Sequence, residues 1–164
     1  MNEMMTYRIL LPLLLFIQAT SAQIPNSGFE NWTNNKPDGW MCTNDTSSSS
    51  FNPVTKSTDH YPETIGNYSV RIESNPLLLP DSVALGYITT YNIPSFAING
   101  NPYSFTGYFK WFPQNNDTMK IAITLYYQGA FSSGASFQTS SIIDTNWTPF
   151  LLNLGANSIA DSAS

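Results

Sequence analysis

Between Tyr103 and Tyr127 the chain alternates with a period of two. Tyr103, Phe105, Gly107, Phe109 and Trp111 interleave with Ser104, Thr106, Tyr108, Lys110 and Phe112. Met119, Ile121, Ile123, Leu125 and Tyr127 then interleave with Lys120, Ala122, Thr124 and Tyr126. Successive side chains of an extended strand point to opposite faces, so such a run packs one face and leaves the other to water or a second layer. Shorter windows repeat the pattern at Tyr68–Glu73 and Phe150–Leu154, with weaker ones at Leu85–Tyr91 and Ala135–Ser140. After the N-terminal segment no window holds helical spacing for three turns. Turn residues recur every 10 to 15 positions. Asn99-Gly100-Asn101-Pro102, Gly129 and Gly134 mark breaks, and Pro113-Gln114-Asn115-Asn116-Asp117 reads as a hairpin turn between the two long runs. The expected fold is all-β, an antiparallel two-sheet sandwich.

The first 22 residues stand apart from this pattern. Arg8 precedes the apolar stretch Ile9–Ile17, and Gln18-Ala19-Thr20-Ser21-Ala22 ends in small residues suited to cleavage before Gln23. That is the three-part form of a secretory signal peptide. Its apolar stretch is too short, and is interrupted by Pro12, to cross a hydrocarbon core about 30 Å thick. Residues 1–22 are therefore read as a cleaved leader and 23–164 as one exported domain, extracellular or on the cell surface, with no transmembrane anchor. Cys42, the single cysteine, is either a small buried hydrophobe or half of a pair completed elsewhere. At the other end, Ile159–Ser164 breaks off where an alternating strand begins. A domain cut there leaves an unpaired sheet edge, and self-association is expected of it.

Chemistry is narrowed by what the chain can supply. Six Lys and Arg against eleven Asp and Glu leave a net charge of −5, which gives no basic footprint for nucleic acid. One cysteine excludes a disulfide framework, and one histidine excludes a two-histidine metalloprotease pair. That histidine, His60, lies in the polar, proline-ended segment Lys56-Ser57-Thr58-Asp59-His60-Tyr61-Pro62 and reads as an exposed loop residue instead of a catalytic base. Glu30, Asp38, Glu63, Glu73, Asp81, Asp117 and Asp144 are scattered singly, with no context that marks a carboxylate pair. No glycine-rich phosphate loop is present. The expectation is a protein that is not an enzyme.

Three separated segments carry a family resemblance. Ile24-Pro25-Asn26-Ser27-Gly28-Phe29-Glu30-Asn31-Trp32 opens the exported chain, with Lys36-Pro37-Asp38-Gly39-Trp40 behind it. Gly66-Asn67-Tyr68-Ser69-Val70-Arg71-Ile72 follows, then Asn101–Trp111, with Trp147-Thr148-Pro149-Phe150 downstream. This order resembles the non-catalytic carbohydrate-binding modules with a galactose-binding-like jelly-roll fold, and more closely the carbohydrate-metabolism-type domains of exported bacterial proteins. The resemblance implies a jelly roll with one further core strand beyond Ser164, a C-terminal sorting or additional domain in the full-length chain, and a polysaccharide or glycan partner. It also implies one structural calcium, with Glu30 as carboxylate ligand beside the carbonyls near Gly28. The alternative for Glu30 is a carboxylate bonded to backbone amides.

A sugar ring needs aromatic faces for its C–H groups and polar partners for its hydroxyls. If Phe105, Phe109 and Trp111 face inward, Tyr108 and Lys110 face outward. If the next strand pairs across the hairpin with Ile121, Ile123 and Leu125 buried, Tyr126 joins them. Tyr108, Lys110 and Tyr126 then line a shallow trough, or else cover a second sheet or a loop. Trp32, Trp40 and Trp147 are assigned to core and loop anchoring. The expected function is attachment of a larger secreted or surface protein to a glycan. A structural or adhesive module that binds a protein is the alternative, and a glycoside-active domain a more distant one.

Overall fold

Short antiparallel strands account for nearly all the regular structure of the computed structural model, which describes residues 24–45, 52–76, 83–90, 96–98, 100–114, 117–139, 143–155 and 159–164. The leader, residues 1–22, lies outside the described residues. In chain order the strands are β1 (Trp32–Thr33), β2 (Lys36–Pro37), β3 (Trp40–Cys42), β4 (Val54–Ser57), β5 (Ser69–Ile72), β6 (Asn75–Pro76) and β7 (Val83–Ala84). They continue as β8 (Ile88–Thr90), β9 (Phe96–Ala97), β10 (Ser104–Trp111), β11 (Met119–Tyr127), β12 (Ala130–Thr139), β13 (Asp144–Asn153) and β14 (Ser162–Ala163). A single 3₁₀ turn, Thr43–Asp45, breaks the pattern among the described residues.

Two layers enclose the main core. One is the ribbon β10–β13, and the other the four-stranded sheet β12-β11-β14-β9. Ile98, Ile123, Leu125, Leu152, Leu154, Ala160 and Ala163 are buried between them, flanked by Phe96, Phe105, Ile121, Phe137 and Phe150. Rings fill the gap: Phe109 reaches across it to Phe137 at 5.5 Å, and within the ribbon Phe105 stands edge-on to Phe150 at 5.3 Å. The all-β sandwich expected from the alternation is the observed architecture.

The two long alternating runs do not pair with each other. Around Gln114 and Asp117 the chain does turn, with the Asp117 amide donating to the Gln114 carbonyl at 3.2 Å. The turn carries the chain from one layer to the other: β10 pairs with β13, and β11 with β12 and β14. Alternation dictates which face is apolar but not which apolar strand lies alongside. Here the choice follows shape. Gly107 sits opposite Phe150 in the register, and a Cβ on Gly107 would come within 2.5 Å of the Phe150 ring. A glycine inside a strand marks such a close approach. The hairpin proper is β11–β12, closed by Gln128 and Gly129 with φ of 52° and 78°, as a two-residue turn of type I′ requires.

β12 extends well ahead of the Ala135–Ser140 window because its first half, Ala130-Phe131-Ser132-Ser133-Gly134, carries no alternation to read. β14 forms within the final alternating segment, 159–164. It lies between β11 and β9, and Ala163 is fully buried. The smaller pairs β1–β2, β3–β8, β4–β5 and β6–β7 make up the rest. β1 and β2 join through Asn34 and Asn35, both at positive φ, which asparagine tolerates better than most residues. Pro37, Cys42, Pro53 and Val54 are fully buried in this part of the chain. Cys42 is 1% exposed, in line with the small-hydrophobe reading of this thiol.

Candidate functional site

The β4–β5 connection docks against the outer face of the β10–β13 ribbon. Outward side chains of β10 run Thr106, Tyr108, Lys110, and those of β13 opposite them Leu151, Pro149 and then Trp147. A bulge positions the last of these. The register slips between Phe109 and Trp111, so that Lys110 alone faces Thr145–Trp147, and bulges re-aim side chains in this way. Asp144 holds the bulge, its carboxylate accepting from the Asn146 amide at 3.3 Å and from the Thr148 hydroxyl.

Asp59 meets that end of the ribbon. Lys110 Nζ donates to both carboxylate oxygens at 2.7 and 2.8 Å, and Trp147 Nε1 donates to Oδ1 at 3.0 Å. The ammonium also lies 5.1 Å from the Trp147 ring centroid, a cation–π position. Two residues on, Tyr61 stands edge-on to Tyr108 at 4.5 Å and 6.5 Å from Trp147. The loop is braced from its own side by the Ser69 hydroxyl on the Asp59 carbonyl at 2.6 Å and by His60 Nδ1 against the Thr58 carbonyl at 2.9 Å. Tyr61 and Tyr108 remain 48% and 46% exposed. The result is a surface patch of two accessible rings beside a closed Lys–Asp pair.

Of the residues expected at a trough, the structure brings Tyr108 and Lys110 together and leaves Tyr126 elsewhere. Tyr126 lies on β11 in the opposite layer, pairs with Ser162, and has its hydroxyl 3.5 Å from Ser164 Oγ. Its separation follows from the partner exchange, because the trough needed β10 and β11 side by side. In place of Tyr126 stand Tyr61 and Asp59, which the sequence reading passed over. Their segment is polar and proline-ended, a signal for a loop but not for where the loop docks.

Glu30 anchors a second junction. Its Oε1 accepts the Asn67 and Tyr68 amides at 2.8 and 3.1 Å, and Oε2 the Asn67 carboxamide at 3.3 Å. Lys56 Nζ lies 4.3 Å from the Tyr68 ring centroid and 5.8 Å from that of Trp32. Trp32 and Trp40 tie the opening segment to itself through indole bonds to the Phe29 and Pro25 carbonyls at 2.5 and 2.8 Å. A calcium ion calls for converging oxygens, whereas Glu30 is met by N–H donors with both lone pairs of Oε1 committed. This donor set fits a carboxylate anchored on backbone amides, and among the described residues no three His, Cys, Asp or Glu side chains converge as a metal group.

The chain matches no protein-family model, no curated protein and no solved structure. Among the described residues no helix is long and apolar enough to cross a membrane.

Among the described residues three carboxyls are held below their ordinary values. For Asp59 the main cause is the Lys110 hydrogen bond, for Glu30 the Asn67 amide, and for Asp161 the Gln128 amide, which clips β14 to the β11–β12 turn. A carboxyl whose folded pKa lies below its unfolded value contributes stability in full above the unfolded value, and loses it as pH falls through the folded one. The melting temperature is therefore expected to hold at neutral pH and to fall as pH drops below about 4. In Lys110→Met, an NMR titration of the Asp59 carboxyl should move upward, with the Glu30 and Asp161 titrations unmoved. An unmoved Asp59 would mean the pair is not formed in solution.

Proposed function

We propose that the protein is an exported, non-catalytic module that attaches a longer polypeptide to a polysaccharide or glycan. The observation that supports this most is the pair of exposed rings, Tyr61 and Tyr108, beside the Lys110–Asp59 pair at one end of the β10–β13 ribbon. Aromatic faces take the C–H side of a pyranose, and the ionic pair offers donors and acceptors to its hydroxyls. Export rests on the leader of residues 1–22, and the partner class on the motif order of the opening, middle and ribbon segments. Binding of this kind concentrates the protein at a surface without breaking a bond.

Affinity electrophoresis through gels carrying a panel of polysaccharides is the direct test. Retardation by at least one polysaccharide is expected, weakened about tenfold in Tyr108→Ala and in Tyr61→Ala, equivalent to about 1.4 kcal/mol for each lost ring. Unretarded migration in every gel would end the proposal. The second reading, an adhesive module with a protein partner, is favoured by the apolar side chains left open on both layers, Leu151 at 60% and Phe131 at 70% exposure.

A further inference from the structure

The aromatic patch does not stand alone on the ribbon. It continues into an open depression of about 470 Å³ lined by Thr106, Gly107, Tyr108, Pro149, Phe150 and Leu151. Tyr108 belongs to both, and its register partner Pro149 links the depression to Trp147 along β13. From Thr106 to Lys110 is four strand steps, about 13 Å at about 3.3 Å each, longer than one sugar ring covers. The surface offered along this line alternates apolar and hydroxyl groups, with Leu151 and Thr106 at one end, Tyr108 and Pro149 in the middle, and Tyr61 with the Lys110–Asp59 pair at the other. All six lining residues are uncharged. The Lys110 charge is already matched by Asp59 at 2.7 Å.

Resting on the carbohydrate reading above, we propose that the ligand is an internal stretch of an uncharged linear glycan, lying along β10 and β13 across several sugar units, instead of a single terminal sugar held end-on. A chain laid this way stacks on Tyr61 at one end and Tyr108 in the middle, and covers Leu151 at the other end. The lining itself supplies no charge for an acidic glycan to pair with, and the nearby ammonium already has Asp59 as its partner.

Isothermal titration of the purified protein with cello-, manno- and xylo-oligosaccharide ladders, and with oligogalacturonides as the acidic comparison, tests this. For at least one neutral ladder, affinity should rise about tenfold or more from monosaccharide to tetrasaccharide as further sites engage. It should also stay within about twofold when ionic strength is raised from about 0.05 to 0.5 M. Leu151→Asp, at a position on the outer face, should weaken the tetrasaccharide more than the monosaccharide. Equal affinity for every length of a bound ladder would overturn the extended mode while leaving glycan binding intact. Oligogalacturonides binding best, with strong salt dependence, would overturn the uncharged ligand. Failure of all ladders, together with unretarded migration in every polysaccharide gel, would take the carbohydrate reading with it.

Discussion

Replacing Leu125 by alanine is expected to lower the unfolding free energy by about 2–5 kcal/mol, the range for a buried leucine truncated in a core. Leu125 has no exposed surface and lies on β11, the strand flanked by β12 and β14. Its register partners are Ser133 and Ala163, both too small to swing into the vacated space. A void therefore persists, and the loss includes a cavity contribution as well as the lost transfer of the side chain. Against a total stability of about 5–15 kcal/mol for a domain of ordinary size, this is a large share. Urea unfolding followed by tryptophan fluorescence measures it, with Leu151→Ala as the comparison. Leu151 is 60% exposed on the ribbon's outer face, and its truncation should change stability by no more than about 0.5 kcal/mol. Equal losses at the two positions would place the core somewhere other than between these layers.

Gly66→Ala carries the second large effect, about 1–3 kcal/mol, from two causes that can be separated. The residue has φ of +78°, and a Cβ there would overlap the Glu30 carboxylate oxygen that accepts the Asn67 and Tyr68 amides. Gly129 has the same φ of +78° with open space around the would-be Cβ, so Gly129→Ala reports backbone strain alone. The excess of Gly66→Ala over Gly129→Ala then measures the disturbance of the Glu30 junction. Combining Gly66→Ala with Glu30→Ala should remove that excess, because the carboxylate in the way is gone. Thermal melts of Gly66→Ala, Gly129→Ala, Glu30→Ala and the Gly66→Ala/Glu30→Ala double variant close this cycle. Identical losses for the two glycine variants would mean that Glu30 yields freely and does not hold the opening segment to the Gly66–Tyr68 turn.

Much of this architecture could be read from residue order, and the legible parts share a cause. β11 runs from Met119 to Tyr127, the bounds its alternation marks, because a strand's two faces are written within a few neighbouring residues. The turn at Gly129 and the loop character of the segment around His60 are local in the same sense. β12 was only half visible because Ser132, Ser133 and Gly134 extend a strand held by its neighbour and not by its own pattern. Glu30 stands in sequence as a carboxylate two residues after Gly28, compatible with a metal or with amides. Its three N–H donors come from residues 67 and 68, a distance along the chain over which sequence carries no geometry.

Residue order by itself therefore determined that the chain is extended, that Phe105, Ile123 and Leu152 turn inward while Tyr108 and Lys110 turn outward, and where the chain bends. Only the tertiary structure decided that β10 lies beside β13 and not β11. With that choice Asp59 and Tyr61 came to Lys110 and Tyr108, and Tyr126 went to the opposite layer. The physical reason is that a strand's facing depends on an alternation only two residues long, whereas its partner is selected by packing, as Phe150 fits over Gly107. The entropy of closing a longer loop grows only logarithmically with its length, so the better-fitting, more distant strand prevails over the nearer one.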